Sequence, residues 1–117
     1  MKKQVISLMM AVCLLFTFSL TANAAVKDGI TYYAVGYNSN TGKVGAAMYS
    51  DNDDENFEVV LKYYDLHNEY IDTETYIKKD TSTIEFYDVV PKNANHVVIK
   101  FYHNNKKLDE VWLSTTD

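Results

Sequence analysis

The chain has 117 residues, a formal net charge of −5, 14% aromatic residues, ten tyrosines, one cysteine and no arginine. One cysteine excludes an internal disulfide, and the missing arginine removes the planar fork that suits phosphates and base edges. Together with the acidic balance, this argues against nucleic acid or an anionic membrane surface as a partner.

Residues 1–24 read as a cleavable secretory signal peptide. Met1-Lys2-Lys3 supplies the positive head, an apolar run follows from Val5 to Leu20, and small residues Ala22 and Ala24 stand at the minus 3 and minus 1 positions. Thr17 and Ser19 interrupt the run, which falls short of the roughly 20 apolar residues that span a bilayer. Cys13 lies in mid-run with Leu14-Leu15-Phe16 still to come, so it does not sit where a lipidated cysteine would. The expectation is a secreted protein, periplasmic if the source has an outer membrane, with no membrane insertion after cleavage. Losing Lys2 and Lys3 leaves nine lysines against 16 acidic residues, a formal charge of −7. Frequent lysine, asparagine, isoleucine and tyrosine without arginine point to an AT-rich bacterial genome.

The remaining stretch, 25–117, is long enough for one domain that must be held by packing alone. Seven short runs with strand character follow one another. The first, 30–37, alternates Thr31, Tyr33, Val35 and Tyr37 with Ile30, Tyr32, Ala34 and Gly36, and the turn Asn38 to Gly42 leads to the second, 43–49. Small residues Gly45, Ala46 and Ala47 in that second run suggest close approach by another backbone or sheet. The third, 57–65, places Phe57, Val59, Leu61 and Tyr63 on one side; its β-branched and aromatic content favours a strand over an amphipathic helix. The fourth, 70–78, mixes threonine and charge as an edge strand would.

A fifth run, 83–90, carries Ile84 and Phe86 on one face and ends at Pro91, the only proline. The sixth and seventh, 97–102 and 108–114, flank the hairpin turn His103-Asn104-Asn105-Lys106. In the seventh, either Leu108 and Trp112 face inward, with Glu110 awkwardly between them, or Val111 and Leu113 do. Seven runs with regular turns predict an all-β fold, a small antiparallel two-sheet sandwich of immunoglobulin or fibronectin form without a disulfide. A small β-barrel, or an α+β fold if 54–66 is helical, is the alternative.

Oxygen ligands are densest in the loop Ser50 to Asn56, and Asp51, Asp53, Asp54 and Glu55 are the candidate ligands of a weak calcium site. An EF-hand is excluded, because counting from Asp51 puts Asn56 and Lys62 where glycine and glutamate are required. No other cofactor is expected. His96 and His103 are seven residues apart on one strand, about 23 Å at ~3.3 Å per residue, so they do not share a metal. His67 stands in a turn between Asp65 and Glu69.

Catalytic motifs are missing: cleavage removes the only cysteine, no Gly-x-Ser-x-Gly turn is present, and the serines fall in turns or at a strand end. Carboxylates can still pair across strands, for example Glu58 with Glu74 or Glu85, although on a domain this small surface charge is the commoner explanation.

An aromatic face is the stronger candidate. If Phe57 and Val97 parity faces inward, then Lys62, Tyr64, Lys100 and Tyr102 face outward on neighbouring strands, with Trp112 adjoining. The expected function is therefore a non-catalytic binding module recognising an extracellular protein or cell-surface glycan. An exported inhibitor, immunity factor or bacteriocin-like small protein is the alternative.

Overall fold

The computed structural model describes residues 24–116, and the fold within them is entirely β. The leader expected over 1–24, Cys13 included, lies outside the described residues except for Ala24. Eight strands follow in order: β1 (Ala25–Lys27), β2 (Ile30–Asn38), β3 (Lys43–Tyr49), β4 (Glu55–Tyr64), β5 (Tyr70–Thr81), β6 (Thr83–Val89), β7 (His96–His103) and β8 (Lys106–Ser114). All pair antiparallel in two four-stranded sheets, β1-β2-β3-β6 and β5-β4-β7-β8. Hairpins join β1 to β2, β2 to β3, β4 to β5 and β7 to β8, while β3 to β4, β5 to β6 and β6 to β7 pass between sheets. This is the connectivity of the expected sandwich. The sheets are open, so the barrel is set aside, and so is the helix over 54–66, which is β4.

Turn chemistry explains the hairpins. Asp28 and Gly29 have φ of +53° and +78° between β1 and β2, and Asn104 and Asn105 have +48° and +67° between β7 and β8. Two-residue hairpins that match strand twist require positive φ at both central positions, which Gly, Asn and Asp tolerate best. Asn38 organises the β2–β3 turn: its carbonyl accepts from the Gly42 N–H at 2.7 Å and its side chain from the Asn40 N–H at 2.9 Å.

The core lies between the sheets. Ile30, Tyr32, Val44, Met48 and Ile84 of the first meet Phe57, Val59, Leu61, Tyr63, Val97, Ile99 and Phe101 of the second. Each fully buried side chain of this kind contributes about 1.5–3 kcal/mol, which is what replaces a disulfide here. β4 shows strict alternation, with every odd residue from Glu55 to Tyr63 buried and the even ones more exposed. The first sheet departs from that pattern. Tyr33, Val35, Ala47 and Tyr49, on its side away from the core, are buried as a second cluster, in which Tyr33 and Tyr49 hydroxyls lie 3.3 Å apart.

Close approach at β3 is real at Gly45. A Cβ there would stand 2.8 Å from the ring of its cross-strand partner Tyr87. Among the described residues, four register shifts reset side-chain parity, two of them between β4 and β5. A register shift between Val35 and Asn38 lets Tyr37 pack on the core, and one between Phe101 and Tyr102 makes Leu108 an extra residue in β8. As a result Leu108 is buried, Val111 and Leu113 also pack against the core, and Trp112 points outward.

Candidate functional site

The outer face of the second sheet is a grid of four strands whose registers are fixed. Reading across β5, β4, β7 and β8, Tyr70, Tyr64, His96 and Ser114 align, and Lys62 next to Val98 and Trp112 forms the following row. Beyond them come Val60 with Lys100 and Glu110, then Glu58 with Tyr102 and Lys107. Lys62, Tyr64, Lys100, Tyr102 and Trp112 therefore share one face. Alternation in β4 and β7 sends these residues outward because the opposite parity carries the core.

Aromatic rings cluster at one end of this face. Tyr64 stacks on His96 with centroids 5.3 Å apart and planes 11° apart, and His96 stacks on Trp112 at 5.0 Å and 25°. Tyr70 meets Tyr64 edge-on at 6.2 Å. The outer members, Tyr70 and Trp112, are 59% and 60% exposed, whereas His96 is buried between its neighbours. Its ring is pinned from both sides: Nδ1 lies 3.1 Å from Asn95 Oδ1 and Nε2 lies 3.0 Å from Asn68 Oδ1. Both nitrogens are thus occupied by amide groups, and the imidazole acts as a rigid spacer between Tyr64 and Trp112.

Tyr102 does not join this cluster. It is six residues from His96 along β7, roughly 20 Å at ~3.3 Å per residue, at the far end of the face. His96 and Tyr70 are the members that sequence reading left out, one taken as a strand end and the other as the start of an edge strand. The outward parity of Val98 and Lys100, extended two residues back, would have found His96.

Charge on this face departs from that of the whole domain. It holds Lys62, Lys100 and Lys107 against Glu58 and Glu110, and Lys107 pairs with Glu110 at 2.7 Å. Among the described residues, Lys62 and Lys100 make no ion pair.

The acidic loop is arranged differently. Asp51, Asp53 and Asp54 are exposed, but Glu55 turns inward as the first residue of β4. Its Oε1 lies 3.0 Å from His103 Nε2 and accepts from Asn104 Nδ2 at 3.5 Å, while Oε2 accepts from Ser50 Oγ at 2.6 Å. The His103 bond, then that of Ser50, holds the Glu55 carboxyl below the usual glutamate range. Glu55 is thereby committed to clamping the β3–β4 crossover onto the β7–β8 turn. Among the described residues, no three His, Cys, Asp or Glu side chains are grouped to hold a metal ion.

The carboxylate pairings do not form. Glu58 faces outward opposite Ile77 and Tyr102, Glu74 lies opposite Leu61 on the other face, and Glu85 belongs to the first sheet. Comparison with known proteins finds no matching family model and no matching curated protein.

Proposed function

We propose that this chain is a secreted, non-catalytic binding module that holds an extracellular protein or cell-surface glycan on the outer face of its second sheet. The observation that carries the reading is the row Tyr70, Tyr64, His96 and Trp112, whose two end rings are more than half exposed on a regular sheet. An apolar ring kept in water costs solvation free energy, and tryptophan and tyrosine on a surface are the residue types that most often anchor interfaces. Here the buried His96 sets the positions of its neighbours before any partner arrives, which lowers the ordering cost of binding.

The reading is tested by incubating the protein with cell-wall fragments and with culture-medium proteins, and following capture together with Trp112 emission. Trp112→Ala should weaken capture by about tenfold or more while leaving cooperative unfolding intact, as expected for a surface anchor. Capture unaffected by Trp112→Ala, and by Tyr70→Ala, would remove this face as the binding site.

A further inference from the structure

Resting on that reading, we infer that the occupant of this face is an extended acidic polypeptide, with carboxylates on Lys62 and Lys100 and apolar side chains against Val60 and Val98. Three observations converge on it.

Charge is the first. Lys62 and Lys100 lack ion-pair partners among the described residues, and the neighbouring Glu110 is engaged by Lys107. From Ala25 onward the chain is strongly acidic, nine lysines facing 16 carboxylic side chains, whereas this face holds three lysines against two glutamates, so an anionic ligand meets less repulsion here than over the domain as a whole.

Spacing is the second. Lys62 is paired with Val98 and Lys100 with Val60, so the two lysines are diagonal neighbours on adjacent strands, about 7–8 Å apart at Cα. Alternate side chains of an extended peptide are separated by roughly 6.6 Å, so carboxylates at alternate positions reach both ammonium groups. Valines fill the other two corners of this square.

Ring orientation is the third. Tyr64, His96 and Trp112 are stacked in that order, so both faces of His96 and one face each of Tyr64 and Trp112 are taken up within the row. The exposed ring edges carry the positive part of the aromatic quadrupole and favour an anion.

The test uses the protein as purified from its expression host and four probes: a short peptide alternating glutamate and valine, its lysine–valine counterpart, polygalacturonate, and a neutral β-glucan oligosaccharide. Saturable change of Trp112 emission is expected with the glutamate peptide alone. Raising salt from about 50 to 300 mM should weaken that binding, and the double variant Lys62→Glu/Lys100→Glu should weaken it by about tenfold or more. Unfolding of the double variant is measured alongside, and Lys62→Gln/Lys100→Gln serves as a milder pair. Stronger binding of polygalacturonate would replace the peptide by an acidic glycan, and preference for the neutral oligosaccharide would remove the lysines from recognition. Silence from all four probes overturns the acidic-peptide inference. The binding reading then stands or falls separately, on whether capture of cell-wall or medium components remains sensitive to Trp112→Ala.

Discussion

Tyr63 Oη in β4 donates a hydrogen bond to Asp88 Oδ2 in β6 at 2.5 Å, tying the middle of one sheet to the edge of the other through the interior. Tyr76 Oη of β5 donates to the second oxygen of the same carboxylate, and its ring stacks on Phe86. Asp88 is buried and each of its oxygens has a neutral donor, which is what makes a carboxylate tolerable there. Burial, reinforced by the bond to Asp88, pushes the Tyr63 hydroxyl far above the ordinary tyrosine range and that of Tyr76 to about 12.

Replacing Tyr63 with Phe keeps the ring and withdraws one donor from Asp88. The expected loss is about 1–3 kcal/mol of unfolding free energy, the cost of leaving a buried acceptor unsatisfied. Urea denaturation measures it. A midpoint equal to the parent's would show that the bond contributes nothing.

Alkaline pH should dissolve the same contacts. Tyr63 and Tyr76, together with Tyr32, which burial and its bond to Asp109 push to about 12, all have folded values above the unfolded value of about 10. The unfolded chain therefore loses these protons first. Stability is fully present below about pH 10 and declines above it, by up to about 1.4 kcal/mol per pH unit for each tyrosine, until the folded values are reached. The part of the tyrosinate absorbance that belongs to these three residues should appear only with loss of the folded state; complete titration of all ten tyrosines while the protein is still folded would contradict this.

On the acid side the sign reverses. Glu55 is held low by His103 and then Ser50, and Asp109 by Tyr32, whose hydroxyl donates at 2.7 Å, and then by the Glu110 N–H. Their stabilisation is complete above the unfolded carboxylate range of about 4 and is lost as pH falls through the lower folded values. Glu55→Gln should flatten the acid limb of a stability–pH curve. An unaltered limb would show that Glu55 does not drive it.

Gly45→Ala should destabilise by about 1–3 kcal/mol, because the new methyl group enters the space of the Tyr87 ring. Tyr87→Ser in the same chain should return part of that loss, although the Phe86 carbonyl 3.0 Å from the added carbon remains. A double-mutant cycle on thermal midpoints detects the coupling, and simple additivity would argue against it.

Much of this fold was legible because β4 and β7 are buried on one face only, so their alternation survives in the sequence. That parity also put Lys62, Tyr64, Lys100 and Tyr102 on one side, whereas it leaves Trp112 open between core and surface, and the register shift in β8 settles it. β1 was overlooked although Asp28-Gly29 is a strong hairpin signal, since three residues carry too little periodicity to register. Burial on both faces of β2 and β3 hides which of Tyr32 and Tyr33 meets the core, and only the sheet pairing separates them. Nor does the composition of the acidic loop distinguish Glu55 from Asp51, Asp53 and Asp54. His103 and Asn104, some 48 residues on, select it.

The extra residue at Leu108 decides what kind of surface this protein has. Were Leu108 paired with Phe101 instead of bulged, regular pairing from Tyr102 with Lys107 would turn Glu110 and Trp112 toward the interior and push Val111 and Leu113 out. Deleting Leu108 would instead remove the bulge while leaving Asp109 opposite Phe101 and Trp112 opposite Val98, so the outward tryptophan depends on the bulge absorbing that one residue. Gain or loss of the candidate face is therefore a matter of whether one residue of β8 is taken up in a bulge or in the ladder, a choice that substitutions at Leu108 and its neighbours would shift.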